Sequence, residues 1–312
     1  MDILFLSFSC VAPFIVYLFL GYASKKILKI SSATFLDLNM IVFRIFLPLN
    51  LFFNIYCSDF STVDFSRPIL ISLICVFVFF LLGLIFYGKR KIPNSDKSVM
   101  IQNVFRSNFI LFGIDLTESI MGKPVSALGG VMTAIFIPLF NIFAVLVFSF
   151  YSNEKPSFFK TIVKILKNPL IISALLAIVL NYFKIVMPDL LFNILYPLGK
   201  MATPLALFAL GGRFVFTTTR ESRKLLVEGL FFRLILIPLI VLAIIIPMGL
   251  RGETLALMLV LFGGPVAVTS YTMAQQMGGN EQLAAQLLVY TTVFSTLTLF
   301  VFISIFKTFG FF

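Results

Sequence analysis

Apolar blocks long enough to cross a bilayer follow one another along almost the whole chain. A transmembrane helix needs roughly 20 consecutive apolar residues, and only short polar gaps separate blocks of about that length. The first block runs from the N-terminus to about residue 22, and the others lie at about 33–57, 67–87, 98–119, 125–150, 169–187, 191–212, 224–248, 253–275 and 283–307. The sequence therefore predicts an all-α integral membrane protein with ten transmembrane helices.

The composition excludes most soluble and catalytic classes. Of the 312 residues 60% are hydrophobic and 12% are charged, against about 45–50% and 25% in soluble domains. Histidine, the commonest general base and transition-metal ligand, is absent. Cys10, Cys57 and Cys75 show no metal or redox spacing and are interpreted as small buried hydrophobes. We expect no enzyme activity, no cofactor and no metal site.

Basic residues predict the orientation of the spans, because Lys and Arg gather in cytoplasmic loops. The start, Met1-Asp2, lacks the basic segment that precedes a signal peptide's apolar run, so the first block is interpreted as a span that starts outside. Four alternate connections then hold most of the basic residues: Lys25, Lys26, Lys29; Lys89, Arg90, Lys91, Lys97; Lys155, Lys160, Lys164, Lys167; and Arg213, Arg220, Arg223, Lys224. We expect both termini outside a bacterial-type inner (plasma) membrane, with the lipid bilayer and not nucleic acid explaining the net charge of +11.

The connection at residues 152–168 allows two interpretations. Lys160, Lys164 and Lys167 recur there at helical spacing beside apolar residues, which is typical of a basic amphipathic helix on anionic lipid. A basic lead-in to span six fits equally well.

A chain with ten spans can consist of two repeats of five spans each. A constant shift of 156 residues aligns several prolines and charges: Pro13 with Pro169, Pro48-Leu49 with Pro204-Leu205, Arg44 with Lys200, Arg67 with Arg223, and Met121-Gly122 with Met277-Gly278. Because each half holds five spans, the second must run inverted through the membrane. The predicted organisation is a first five-helix repeat at 1–151, the cytoplasmic connection at 152–168, and an inverted repeat at 169–312, an arrangement typical of secondary transporters.

Spans four and nine carry helix-breaking or polar residues near their midpoints. Span four has a polar patch around Asn108, and span nine contains Gly263-Gly264-Pro265. Proline removes an amide donor and crowds the carbonyl four residues earlier, and opened backbone in hydrocarbon must line a cavity or be buried in protein. Two broken helices that meet would direct positive N-termini at one place, which suits a carboxylate. A plain kink packed against neighbouring helices is the alternative.

Two strings in these spans resemble the auxin efflux carrier family of membrane transporters. They are Arg106-Ser107-Asn108-Phe109-Ile110-Leu111-Phe112-Gly113-Ile114-Asp115-Leu116, and Gly264-Pro265 through Ala274-Gln275-Gln276-Met277-Gly278. The family includes plant auxin exporters and bacterial permeases for malate or malonate. Ser107 and Asp115 stand where the plant members have proline.

The resemblance implies a fold similar to that of the bile acid symporters. Broken helices four and nine would cross at the site, spans 1, 2, 6 and 7 would form a scaffold that dimerises with a second copy, and spans 3–5 and 8–10 would move. Asn108 matches the carboxylate-contacting asparagine and Pro265 the crossover proline. The candidate substrate-binding residues are Asn50, Ser107, Asn108, Gly264, Pro265, Val266 and Thr269.

Three further ionisable residues are candidates because charges at membrane depth are expensive and usually functional. Asp115 is the candidate for proton or cation coupling, and a water-exposed position beside Glu118 is its alternative. Arg44 and Lys200 are candidate anion contacts, although long side chains of this kind also reach to the interface.

These observations predict a secondary transporter of a small organic anion, a carboxylate that is malate-like, malonate-like or auxin-like. A sodium- or proton-coupled symporter of a larger organic anion, a channel and a receptor remain alternatives. ATP-driven pumping by this chain is disfavoured because GxxxxGK[ST] is absent.

Overall fold

The computed structural model describes residues 2–58, 67–109, 116–118, 120–122, 127–152, 163, 166–216 and 219–312, with the backbone alone for 2–11 and 127. Eleven long helices lie in these parts of the chain. They are α1 (Asp2–Ile27), α2 (Ser32–Tyr56), α3 (Arg67–Gly88), α4 (Asn94–Phe105), α5 (Ala127–Phe150), α6 (Pro169–Tyr182), α7 (Asp189–Arg213), α8 (Arg220–Ile245), α9 (Gly252–Gly263), α10 (Val268–Gln276) and α11 (Glu281–Thr308). Most of the 152–168 connection, with its predicted amphipathic helix, lies outside the described residues, as does Asp115.

Seven stretches of the described residues are long and apolar enough to cross a membrane. They are Ser32–Tyr56, Arg67–Gly88, Leu128–Phe150, Asp189–Arg213, Arg220–Ile245, Gly252–Gln276 and Glu281–Thr308, and α6 is a shorter apolar helix. The prediction of an all-α integral membrane protein is therefore confirmed. The most apolar window of Gly252–Gln276 is 89% buried and that of Arg67–Gly88 only 33%, so α9 and α10 form the centre while α3 lies at the periphery.

Prolines distort α2 and α8 in the same way. A π-helical turn occupies Val42–Phe46 in α2 and Phe232–Leu236 in α8, and Pro48 and Pro238 follow each turn by two residues. Each proline removes the bond to the carbonyl four positions earlier, and the wider turn accommodates that loss. The sequence did not predict these turns.

Glycines allow α1 and α7 to pack at short range. A Cβ added to Gly211 would lie 2.0 Å from the Leu18 carbonyl oxygen, and one added to Gly21 would lie 2.0 Å from the Phe208 carbonyl oxygen. Small residues permit such backbone approach between membrane helices. Packing of α2 on α6 and α7 completes this group of helices.

Contacts between helix ends define one end of the molecule, here named the basic end. The Asn280 amide donates to the Ser95 carbonyl at 3.0 Å, and Arg213 pairs with Glu281. Arg90, which follows α3, forms an ion pair with Glu228 of α8. The helix ends beside the basic connections at 89–97 and 213–224 and beside the connection at 276–281 therefore converge, as the orientation prediction requires of loops on one membrane side.

Candidate functional site

Both predicted helix breaks are present. Helix α4 ends at Phe105, Arg106 has φ −94° and ψ 125°, and residues 106–108 are not helical. Helix α9 ends at Gly263, and α10 begins only at Val268 after a segment that contains Pro265. The prediction of breaks near Asn108 and Gly264 is confirmed.

The two breaks contact each other through the backbone. The Asn108 amide donates to the Pro265 carbonyl at 2.8 Å. Gly264 allows this approach, because a Cβ added there would lie 2.6 Å from the Val260 carbonyl oxygen and 3.2 Å from Ser107 Oγ. The interrupted segments are thus joined directly, not through side chains alone.

A central pocket opens beside this contact. Its space not occupied by atoms totals about 550 Å³, including the opening. The lining comes from both breaks and from α2, α5, α6 and α7: Leu47, Asn50, Leu51, Arg106, Ser107, Asn108, Ile137, Phe140, Asn141, Leu170, Thr203, Ala267, Val268 and Thr269. No acidic side chain is among these described lining residues.

Arg106 places a positive charge in the wall of the central pocket. The residue is 1% exposed. Its Nη1 donates to Gln102 Oε1 at 2.9 Å, and its Nη2 donates to Asn141 Oδ1 at 2.6 Å and to Thr269 Oγ1. All of these acceptors are neutral, and the ion pairs of the described residues involve other arginines. The guanidinium is held in place without a described counter-charge.

Unpartnered polar atoms cluster at the same break. Arg106 Nε, Ser107 Oγ and Asn108 Nδ2 are buried without a hydrogen-bond partner. Buried polar groups are nearly always satisfied, and leaving one unpaired costs about 1–3 kcal/mol. Two of the three atoms are donors only, and the hydroxyl can donate. Their arrangement suits a ligand that accepts hydrogen bonds.

The structure brings together four of the predicted substrate-binding residues and keeps three others next to them. Asn50, Ser107, Asn108 and Thr269 line the central pocket. Gly264, Pro265 and Val266 lie in the break but outside the lining.

The two candidate anion contacts lie elsewhere. Arg44 and Lys200 are exposed and do not line the central pocket. The Lys200 ammonium lies 5.1 Å from the centre of the Tyr196 ring. Asp115, the coupling candidate, lies outside the described residues.

A second buried arginine lies behind the break. Arg233, in the π-helical turn of α8, is 1% exposed. Its Nε donates to the Gly264 carbonyl at 2.8 Å and its Nη2 to the Leu261 carbonyl at 3.1 Å. The interpretation of the sequence missed both Arg106 and Arg233, although each is an ionisable residue well inside an apolar block and could have been selected on that ground.

A polar network links four helices at the basic end. Asn39 of α2 donates to Gln275 Oε1 of α10 and accepts from Thr272 Oγ1 at 2.9 Å. Gln275 and Tyr271 of α10 both donate to Glu281 Oε1, at 2.8 and 3.0 Å. Arg213 at the end of α7 donates to the same carboxylate. The network therefore ties α2 and α7 to α10 and α11.

A second cavity lies along α2, α5 and α6. Its volume is about 1670 Å³, including open space, and its wall includes Tyr56 at the end of α2, Asn181 near the end of α6 and Pro138 in the middle of α5. Pro138 directly follows Ile137, which lines the central pocket. The helices α2, α5 and α6 therefore contribute to both cavities.

Comparison with known proteins identifies the family. The sequence profile described as "Membrane transport protein" matches residues 6–160 and 154–303. No curated protein matches the chain at a significant level. Because the two matched segments together cover nearly the whole chain, the chain belongs to the membrane transport protein family, an auxin efflux carrier-like family of membrane transporters.

Proposed function

We propose that this membrane transporter is a secondary carrier of a small organic anion and that the anion binds in the central pocket. The observation that carries the proposal is the buried Arg106 guanidinium, which faces only neutral described partners. A charge without a counter-charge is expensive inside a membrane protein, so an anionic ligand supplies the missing charge. Carboxylate geometry also matches the planar guanidinium.

The neighbouring donors fit the same ligand. Arg106 Nε, Ser107 Oγ and Asn108 Nδ2 come from three consecutive residues and have no described partner. Val268 and Thr269, in the first turn of α10, line the same pocket. A helix N-terminus favours negative charge, so a carboxylate between the two breaks would receive donors from both.

The proposed architecture follows the sequence prediction. It comprises ten spans in two inverted repeats, with both termini outside and crossing broken helices at the site. Packing of α1 on α7 and of α2 on α6 supports a scaffold of spans 1, 2, 6 and 7. The polar network at the basic end and the second cavity, whose wall includes the ends of α2 and α6, support an alternating-access cycle in which this state faces outward. A homodimer through the scaffold and proton coupling through Asp115 belong to the same proposal.

Counterflow in proteoliposomes tests the function. We expect saturable exchange of a labelled carboxylate, which a channel does not give, with monocarboxylates and dicarboxylates screened as substrates. Arg106→Gln should weaken the apparent affinity by roughly ten- to more than a hundredfold, because a hydrogen bond to a charged group contributes about 1.5–3 kcal/mol.

Arg44→Gln is the matched control. It removes the same charge from an exposed arginine that does not line the central pocket. An equal loss in both variants would contradict the assigned role of Arg106, and saturable transport of neutral solutes alone would overturn the anion proposal.

A further inference from the structure

The last turns of both interrupted helices direct carbonyl oxygens at one side chain. Arg233 Nε and Nη2 contact the Gly264 and Leu261 carbonyl oxygens at 2.8 and 3.1 Å, and Nη1 lies 3.5 Å from the Val104 carbonyl oxygen. Val104 lies in the last turn of α4, whereas Leu261 and Gly264 lie at the end of α9. Arg233 therefore contacts the C-terminal ends of α4 and α9 together.

These helix ends have a negative character that needs compensation. The last carbonyls of a helix lack intrahelical partners, and the aligned peptides leave about half a negative charge at each C-terminus. In the described part of the chain the arginines paired with carboxylates are Arg90 and Arg213. The carbonyls of the two helix ends are thus the partners that the structure gives the Arg233 guanidinium.

In transporters with interrupted helices, a coupling Na⁺ is bound by backbone carbonyls of the unwound segment and by the C-terminal ends of half-helices. Oxygen ligands are what a hard, small cation requires. Here a side chain that is 1% exposed already occupies the space among those oxygens. A free cation there would clash sterically with the guanidinium and would be repelled by its positive charge.

We propose that Arg233 is a tethered cation that fills the position of a coupling cation, so that the carrier works without Na⁺ or another dissociable metal cation. The part of this inference that concerns transport rests on the proposed function. The charge of Arg233 stays with the protein through the whole cycle, so no metal cation is carried with the anion. Removing the side chain would uncover a carbonyl-lined cavity able to take a small cation.

Thermal unfolding of the purified protein in detergent tests the proposal without a known substrate. Wild-type protein and Arg233→Ala are compared in NaCl, KCl, guanidinium chloride and choline chloride at equal, low ionic strength. We expect the wild-type Tm to be the same in all four salts. Arg233→Ala should have a Tm lower by about 10 °C, because breaking a buried charged contact is strongly destabilising. Na⁺ or guanidinium should restore part of that loss, and the bulky choline should not.

Two further variants keep the test decisive. Arg44→Ala removes the arginine from the equivalent π-helical turn of α2, where the side chain is exposed, and should show no cation-specific response. Arg233→Lys keeps a cation in place, should fold even if the alanine variant does not, and should be insensitive to Na⁺.

Specific stabilisation of the wild-type protein by Na⁺, Na⁺-dependent counterflow by the wild-type protein, or identical responses of Arg233→Ala to Na⁺ and choline would each overturn the proposal. Because unfolding is measured without transport, that result is independent of whether an anion is carried. Loss of counterflow alone would affect only the proposed function.

Discussion

Arg106, Ser107 and Asn108 follow one another in a non-helical segment, and all three line the central pocket. They do so after α4 has ended at Phe105, where the backbone of Arg106 becomes extended. In a continuous helix the three side chains would spread over about 200° around the axis, since each residue turns about 100°. The break therefore creates the pocket wall as well as opening the backbone.

Asn108→Ala should weaken substrate binding by about 1–3 kcal/mol, roughly five- to more than a hundredfold in affinity, because an amide donor is lost from a desolvated site. Asn108→Asp has nearly the same size but repels an anion, so it should bind still more weakly. Affinity would be measured by concentration-dependent counterflow. Unchanged affinity in a well-folded Asn108→Ala protein would remove Asn108 from the site.

Sequence patterns found the asparagine but not the arginines. Its place in a broken span and the family resemblance both predict Asn108 as a site residue, and it does line the pocket. The rule for ionisable residues at membrane depth pointed to Arg44 and Lys200, which the structure places at exposed positions. Position along a span does not tell which way a side chain faces, since that depends on packing among distant helices.

At the scale of elements, the break between α9 and α10 depends on chemistry that is local in sequence. Proline has no amide to donate, and the carbonyl that Pro265 leaves without its helical partner, that of Leu261, accepts from Arg233 instead. The sequence could predict the interruption because its cause is covalent. It could not predict the compensation, because Arg233 comes from another helix 28 residues away in the chain.

Gly264→Ala should disturb this break without requiring an unusual backbone conformation. The residue has φ −68° and ψ 161°, which alanine adopts readily, so the effect comes from the added Cβ 2.6 Å from the Val260 carbonyl oxygen. Such overpacking typically costs about 1–3 kcal/mol, and we expect a lower Tm together with slower counterflow.

Gly130→Ala in α5 is the matched control, because an added Cβ there has nothing within 4 Å. Glycine is less favourable than alanine in a helix interior, so this variant should be neutral or slightly more stable. A Gly264→Ala protein as stable and active as Gly130→Ala would show that the contact between the breaks tolerates a methyl group.

At the scale of the whole molecule, the packing of α1 on α7 holds together helices that are far apart in sequence. Gly211→Leu should separate them, because even one added carbon would lie 2.0 Å from the Leu18 carbonyl oxygen. We expect a markedly lower Tm and poor yield of folded protein, measured by size-exclusion chromatography. Gly130→Leu, at an exposed position, should behave like the wild-type protein. Equal behaviour of the two variants would contradict the close packing.

The lengths of the apolar blocks predict the positions of the helices along the chain, since most described helices lie within a few residues of the predicted spans. The convergence of basic connections at one end agrees with the charge pattern, because that pattern reports on loops and needs no tertiary information. The polar network of Asn39, Gln275 and Glu281 had no such signal. Its members belong to three helices whose spacing in sequence gives no indication of contact.

The bond between Asn108 and Pro265 joins two main chains, an amide to a carbonyl. Any residue except proline at position 108 supplies that amide, and every residue at position 265 supplies that carbonyl. Side chains facing the ligand are therefore free to vary while the mechanical link between the helices persists. The side chains that bind the substrate are therefore distinct from the backbone groups that link the two broken helices. In evolution, single substitutions can change the substrate range without disrupting that link.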